Sequence, residues 1–180
     1  PRGIAEALLI GESFLRNKPS ALILGDNLFH GLNLSEKLLN VSKKNSGASI
    51  FGYSVKDPER YGVIELDSNE KIEDIVEKPC NFVSNYAITG LYFYDNTASE
   101  RTKSLKPSKR GELEITDLNK SYLKDDLLSV EIMTEGMTWL DTGTFDSLHE
   151  ASSYVQIIEH RQGLKIGCPE EIALKKNWID

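Results

Sequence analysis

Apolar residues in the amino-terminal part of the chain recur first at helical and then at extended spacing. From residue 4 to residue 16 the spacing is that of an amphipathic helix, so this stretch is predicted to form one helix. The run 21–24 (Ala-Leu-Ile-Leu) is too short for a helix and uniformly apolar, which is typical of a parallel strand covered on both faces. Residues 34–44 predict a second helix. This alternation indicates an α/β fold.

The rest of the chain holds more strand patterns and a helical tail. Strands are predicted over 48–55, 61–66, 71–76, 86–94, 128–133 and 138–140. Helices are predicted over 95–104, 116–124 and 145–159, with a last one after Pro169. The predicted inner stripe of helix 145–159 is Leu148, Ala151, Ser152, Val155 and Ile158. We therefore expect a mixed α/β layer fold in a single domain over 1–180, with 144–180 as its helical carboxyl-terminal part.

Charge and composition narrow the classes of partner. The formal net charge is −7 and the isoelectric point is near 5.1, which argues against nucleic-acid binding because such surfaces are basic. No apolar run reaches the roughly 20 residues that a membrane span needs. The amino end also lacks a signal-peptide pattern, so we expect a cytoplasmic protein with no membrane partner. Cys80 and Cys168 are expected to be free thiols.

Four short blocks join the end of an apolar run to a charged side chain and a Gly, Pro or Asn. They are Leu24-Gly25-Asp26-Asn27, Glu77-Lys78-Pro79, Arg110-Gly111-Glu112-Leu113-Glu114 and Trp139-Leu140-Asp141-Thr142-Gly143. Such a pattern is typical of a strand whose carboxyl end opens into a site, where two acids can converge. Asp26 could equally form a turn, and Asp141 could cap the next helix. If the two acids converge, Mg²⁺ suits them, because it takes one or two carboxylates and completes its shell with phosphate and water.

The charges of the other two blocks suit a substrate with hydroxyls at one end and phosphates at the other. Glu77 can accept hydrogen bonds from sugar hydroxyls, while Lys78 can donate to a phosphate. Pro79 is expected to bias Lys78 toward an extended conformation. Arg110 closes a polar loop, and its planar fork matches two phosphate oxygens. The alternatives are solvated charges at a strand end and a solvated loop arginine.

In residue type and order, these blocks resemble the sugar nucleotidyltransferases, and most closely the glucose-1-phosphate thymidylyltransferases among them. The resemblance includes the amino-terminal run from Pro1 to Ala7 and the run from Arg110 to Asp117. It implies a Rossmann-like mixed sheet flanked by helices. That sheet is expected to be truncated at the amino terminus, because the Gly-rich turn with which the family opens (G-G-x-G-T-R-L) is not in this sequence. It also implies a homo-oligomer, by resemblance a tetramer.

The resemblance implies a role for each candidate residue. Asp26 and Asp141 hold Mg²⁺, and together with Lys78 and Arg110 they form the catalytic set. The substrate-binding residues are Gly3, Asn27, Gly62, Glu77, Lys78, Ile88 and Arg110. Gly3 lies against the nucleotide base, Gly62 lets backbone approach the sugar ring and Ile88 lines the sugar pocket. Glu77 contacts glucose, and Lys78 and Arg110 contact its phosphate.

The implied reaction joins dTTP and glucose 1-phosphate to give dTDP-glucose and pyrophosphate, in the pathway of dTDP-rhamnose and related bacterial sugars. Without the Gly-rich turn, the 180-residue chain alone is expected to be inactive or nearly so. One alternative keeps the reaction but uses UTP, CTP or ATP. Another is a non-catalytic subunit that binds nucleotide-sugar or acts as a scaffold, against which the presence of both Asp26 and Asp141 argues.

Overall fold

The computed structural model describes residues 2–69 and 71–180, so Pro1 of the amino-terminal run and Glu70, between the predicted strands 61–66 and 71–76, lie outside it. The helices are α1 (Glu6–Ile10), α2 (Glu12–Leu15), α3 (Leu34–Ser42), α4 (Ala98–Lys103), α5 (Ile115–Lys124), α6 (Phe145–Gln162) and α7 (Pro169–Lys175). The strands are β1 (Ser20–Ile23), β2 (Asn27–Gly31), β3 (Ala48–Ser54), β4 (Gly62–Leu66), β5 (Ile72–Glu77), β6 (Tyr86–Tyr94), β7 (Leu128–Ile132) and β8 (Met137–Asp141). A short 3-10 turn spans Pro58–Arg60.

The main sheet is mixed and is built around β6. Its order is β5-β4-β6-β3-β7, and β1 also pairs with β6. β6 runs antiparallel to β1, β3 and β4, whereas β3 and β7 are parallel. α5 and the sheet share a core in which Ile50, Ile64, Ile75, Leu118 and Tyr122 are fully buried. The predicted mixed α/β fold, with a mixed sheet flanked by helices, is confirmed.

The strand that follows the first helices differs from its prediction. β1 is antiparallel to β6, with Ser20 opposite Tyr94 and Ile23 opposite Leu91, so the predicted parallel pairing is wrong. The predicted coverage of this strand on both faces is also wrong, since Ile23 is 57% exposed. No described strand pairs with the other edge of β1. A uniformly apolar run therefore identified a strand here, but not its direction or its coverage.

The first predicted helix is interrupted at Gly11. α1 ends there and α2 begins after it, so the prediction of one continuous helix over 4–16 is wrong. Glycine costs a helix interior about 1 kcal/mol relative to alanine, which favours a break at this position. α2 ends at Arg16 in a left-handed conformation, with φ 51°.

The long carboxyl-terminal helix forms as predicted, but its inner stripe is smaller. Within α6 only Ala151 is buried, and Leu148 is 50% exposed. Ser152 is also exposed, so these two members of the predicted stripe are wrong. Within the described ranges, no helix has both the length and the apolar character needed to cross a membrane.

A second, two-stranded sheet was not predicted. β2 pairs antiparallel with β8, from Asn27 opposite Asp141 to Gly31 opposite Met137. The sequence of β2 (Asn-Leu-Phe-His-Gly) begins with the turn-forming Asn27 and ends in glycine, so local pattern did not indicate a strand after Asp26. This small sheet positions the candidate site.

Candidate functional site

One cavity of about 440 Å³ gathers nearly all the predicted site residues. Its lining includes Asp26, Asn27, Gly62, Glu77, Lys78, Ile88, Arg110 and Asp141. Gly3 is the exception, although its neighbour Ile4 does line the cavity. Gly3 has φ +101°, and a Cβ there would lie 2.5 Å from the carbonyl oxygen of Leu113. The structure thus gives Gly3 a packing constraint against the loop that follows Arg110.

The ladder between β2 and β8 brings the two acids together. Asn27, directly after Asp26, is the cross-strand partner of Asp141. The backbone N–H of Thr142 donates to the backbone oxygen of Asp26 at 2.7 Å, which closes the end of the ladder. The predicted convergence is confirmed, but its expected cause is not. The acids meet at the end of an antiparallel pair rather than at the carboxyl ends of neighbouring parallel strands.

The two carboxylates face a common space. Asp26 Oδ2 and Asp141 Oδ1 each lie 3.8 Å from the point where a Cβ on Gly143 would stand. Among the described residues, no group of three or more His, Cys, Asp or Glu side chains could hold a metal ion. Two carboxylates alone still fit Mg²⁺, because this ion usually keeps several waters and takes further oxygens from phosphate.

Basic and phenolic groups of the turn before β4 also surround Asp141. Arg60 Nη2 lies 3.8 Å from Asp141 Oδ2, while Arg60 Nη1 is held by Asp57 Oδ2 at 2.8 Å. Burial, followed by the hydrogen bond and negative charge of Asp141, raises the pKa of Tyr61 above its usual range. The Tyr61 hydroxyl therefore stays protonated beside the acid at neutral pH.

The side-chain amide of Asn27 is bonded to the protein on both sides. Its Oδ1 accepts from Trp139 Nε1 at 2.6 Å and from the Gly90 N–H at 2.9 Å, and its Nδ2 donates to Asp26 Oδ1 at 2.8 Å. A Cβ on Gly90 would stand 2.5 Å from this Oδ1, so only glycine allows the approach. Asn27 holds the cavity wall in this structure, and a direct substrate contact by it stays a prediction.

Glu77 is held by a residue of α5. Thr116 Oγ1 donates to Glu77 Oε2 at 2.5 Å. Gly62 is the cross-strand partner of Glu77, and a Cβ on Gly62 would lie 3.2 Å from Thr116 Oγ1 and 3.3 Å from Glu77 Oε2. A side chain at position 62 would therefore crowd the carboxylate. Glycine leaves the backbone of β4 open beside it.

Lys78 has a backbone conformation that the sequence did not predict. Its φ is 44°, in the left-handed region, so the predicted extended conformation is wrong. Its N–H donates to the backbone oxygen of Tyr61 at 2.9 Å, which ties the end of β5 back to the turn before β4. Such a conformation costs a non-glycine residue of order 1–3 kcal/mol, and strain of this kind is concentrated at functional sites.

Arg110 reaches the cavity from its loop and is surrounded by carboxylates. Its Nη2 lies 2.9 Å from Glu114 Oε2, 3.4 Å from Glu112 Oε2 and 3.7 Å from Glu77 Oε1. The hydrogen bond to Glu114 and its negative charge raise the pKa of Arg110. The guanidinium is therefore a permanent cation at this wall. Together with Lys78, it balances a cavity rich in acids.

Other residues that line the cavity were given no site role from the sequence, among them Arg60, Tyr92 and Thr116. Thr116 stands inside the run already noted from Arg110 to Asp117. Tyr92 could have been found from strand alternation, because Ile88, Gly90 and Tyr92 fall on one face of β6. Burial, and then the charge of Glu77, raises the pKa of Tyr92 above its usual range. No local pattern marked Arg60, which meets Asp141 only through folding.

A mixed sheet flanked by helices, with acidic and basic side chains gathered on one cavity, defines the class of fold and site, and comparison with known proteins gives the family. The chain belongs to the nucleotidyl transferase family, whose model matches residues 1–157. The resemblance predicted from the motifs is therefore confirmed.

Relatives in this family cover the whole chain. A glucose-1-phosphate thymidylyltransferase of Xanthomonas campestris is 55% identical over 180 residues, which is 100% of this chain and 61% of that protein. One of Neisseria gonorrhoeae is 53% identical over 179 residues, covering 99% of this chain and 62% of that protein. The chain thus spans about three fifths of the length of these relatives.

Solved structures have the same fold. A Bacillus anthracis protein assigned as a glucose-1-phosphate thymidylyltransferase, in complex with sucrose, matches with a TM-score of 0.75 and 42% identity. The match covers 84% of this chain and 60% of that one. A UDP-glucose pyrophosphorylase complexed with UDP-glucose also matches with a TM-score of 0.75, at 27% identity, over 85% of this chain and 62% of that one.

Proposed function

We propose that the complete protein transfers a thymidylyl group from dTTP to glucose 1-phosphate, giving dTDP-glucose and pyrophosphate. The observation that carries this proposal is the convergence of two acids, a Glu and two cations on one cavity of about 440 Å³. The relatives named as glucose-1-phosphate thymidylyltransferases support the choice of dTTP and glucose. The same relatives favour dTTP over UTP, CTP or ATP as the nucleotide substrate.

The acid end of the cavity is proposed to bind the reacting phosphates. Asp26 and Asp141 would hold Mg²⁺, which when bound supplies positive charge against phosphate oxygens. Asn27, Trp139 and the β2–β8 ladder keep the two carboxylates facing one space. Gly3 is proposed to lie against the nucleotide base. On its other side, Gly3 packs against the backbone of Leu113.

The other end is proposed to bind the sugar phosphate. Glu77, oriented by Thr116, accepts hydrogen bonds from glucose hydroxyls, and Gly62 leaves room for the ring beside it. Ile88 lines the same wall. Lys78 and Arg110 donate to the phosphate and so aim its oxygen at the nucleotide. Catalysis is then positioning and charge stabilisation, with no covalent intermediate on the protein.

The 180-residue chain alone is proposed to lack dTTP turnover while still binding glucose 1-phosphate weakly. The Gly-rich turn whose N–H groups would cradle a triphosphate is not among its residues. We further propose that the complete protein is a cytoplasmic homo-oligomer, a tetramer by family resemblance. Nucleic acid and membranes are not proposed as partners.

The test is turnover by the complete gene product. Pyrophosphate release should require both glucose 1-phosphate and dTTP, with UTP, CTP and ATP as weaker competitors. Asp141→Asn should abolish it without unfolding the protein. Equally fast turnover with UTP, CTP or ATP would contradict the assignment of dTTP as the nucleotide substrate. No turnover with any nucleotide, combined with retained nucleotide-sugar binding, would favour the non-catalytic subunit.

A further inference from the structure

The guanidinium of Arg110 is bound along one edge only. Its Nε donates to Glu114 Oε1 at 3.2 Å, and its Nη2 donates to Oε1 at 3.0 Å and to Oε2 at 2.9 Å. Nη1, which carries two of the five N–H groups of an arginine, donates to none of the residues that the structure describes. One side of the fork is therefore fixed and the other is available to a ligand.

Glu114 is itself fixed by its surroundings. Ser108 Oγ donates to Glu114 Oε1 at 2.6 Å, and only 12% of the Glu114 side chain is exposed. Burial by itself raises the pKa of Glu114, but hydrogen bonds from Ser108 and Arg110 outweigh it, so the pKa is lowered overall. Glu114 also stands immediately before α5, so its backbone is anchored to a helix. It is a rigid, charged support.

The loop that carries Arg110 is closed by Ser108 as well. The Arg110 N–H donates to Ser108 Oγ at 3.2 Å, and the Gly111 N–H donates to the Ser108 backbone oxygen at 2.8 Å. Gly111 has φ +78°, a conformation that suits glycine. Hydrogen bonds within the loop itself thus close the turn and direct Arg110 back onto Glu114.

We propose that Glu114, supported by Ser108, is the positioning residue for Arg110. It holds the Nε and Nη2 edge so that Nη1 meets the phosphate of the sugar phosphate in a preformed orientation. The inference rests on the proposed function of the cavity. The opposite role, in which Glu114 competes with the phosphate for Arg110, requires the ion pair to break on binding. The bonding pattern favours positioning because a charge-assisted bidentate pair leaves the Nη1 donors free.

Binding of glucose 1-phosphate to the 180-residue chain, measured by calorimetry, tests this role. Glu114→Gln should weaken binding about tenfold, because the amide loses the charge that holds the fork. Ser108→Ala should also weaken binding of glucose 1-phosphate, but by less than Glu114→Gln does. Glu112→Gln is the comparison, since Glu112 meets Arg110 at 3.4 Å with 44% of its side chain exposed, and it should change affinity less than about threefold.

An NMR readout separates positioning from general damage. The Arg110 Nε–H cross-peak, assigned by its loss in Arg110→Lys, should be protected in the unsubstituted chain and in Glu112→Gln. It should broaden in Glu114→Gln. Equal or tighter binding by Glu114→Gln overturns the inference, and so does an unchanged cross-peak. If the unsubstituted chain binds no glucose 1-phosphate, the weak binding proposed for the 180-residue chain fails and the inference fails with it, whereas turnover by the complete gene product tests the proposed function separately.

Discussion

Trp139 Nε1 lies 2.6 Å from Asn27 Oδ1, and this bond joins the start of β2 to β8 beside the two acids. Trp139 is 6% exposed, so its N–H has little access to water when the bond is absent. The side-chain amide of Asn27 therefore stabilises the base of the cavity. Asn27 Nδ2 also donates to Asp26 Oδ1, so the same amide orients the Asp26 carboxylate.

Asn27→Ala is expected to lower the free energy of unfolding by about 1–3 kcal/mol, because it leaves the buried Trp139 N–H without a partner. Urea denaturation of the 180-residue chain measures the change. Asn40→Ala, on the exposed face of α3, is the matched control and should stay within about 0.5 kcal/mol. Equal stability of the two variants would contradict the role assigned to the Asn27 amide.

Gly62→Ala should weaken binding of glucose 1-phosphate about tenfold. The new Cβ would lie 3.2 Å from Thr116 Oγ1 and 3.3 Å from Glu77 Oε2, so the carboxylate must move. Calorimetry gives the affinity, and thermal unfolding checks that the chain still folds. Unchanged affinity in a folded variant would show that the Glu77 carboxylate does not need this space.

Lys78→Gly and Lys78→Ala should differ in stability although both lose the amine. At φ 44° glycine is unstrained, so Lys78→Gly should be more stable than Lys78→Ala by about 1 kcal/mol. Both should lose phosphate-dependent binding of the sugar phosphate. Urea denaturation compares the two variants directly. If Lys78→Ala were the more stable, the left-handed conformation would not be the one adopted.

Acid should destabilise the fold partly through Asp95. Burial by itself raises the pKa of this carboxyl, but hydrogen bonds from Thr97, Gly47 and Tyr122 outweigh it and lower the pKa. A carboxyl with a depressed folded pKa contributes stability above its unfolded pKa of about 3.9 and loses it as pH falls through the lower folded value.

Unfolding free energies measured from pH 7 down to pH 2 check this contribution. Asp95→Asn should be less stable at neutral pH and should lose less stability on acidification than the unsubstituted chain. Asp180→Asn, at an exposed position, is the control and should follow the unsubstituted curve. A parallel acid profile for Asp95→Asn would rule out a depressed pKa at this site.

Local pattern was enough for most elements of this fold. β6 spans the predicted residues 86–94, because aromatic and β-branched residues fill it and all but Tyr86 and Phe93 are buried. β1 and β2 show where pattern stops being informative. The direction of β1 depends on its pairing with β6, and β2 exists only because β8 pairs with it. Neither partner is visible in the residues of the strand itself.

The site was predictable where charge stood at the end of an apolar run, as at Asp26, Glu77 and Asp141. It was not predictable where a residue acts through a partner distant in sequence. Thr116 meets Glu77, and Arg60 meets Asp141, only once the chain has folded. Lys78 illustrates a third case, since the bias imposed by Pro79 is overridden by the hydrogen bond from the Lys78 N–H to Tyr61.

Asp26 and Asp141 are proposed to share one divalent cation beside a sugar phosphate. Electron paramagnetic resonance of Mn²⁺, titrated into the 180-residue chain with glucose 1-phosphate present, tests it with Asp26→Asn, Asp141→Asn and the double variant. We predict one bound Mn²⁺ per chain, a large loss of affinity in each single variant, and little further loss in the double variant, since residues that share one ligand do not act additively. Single variants that bind Mn²⁺ as tightly as the unsubstituted chain, or losses that simply add, would contradict the account.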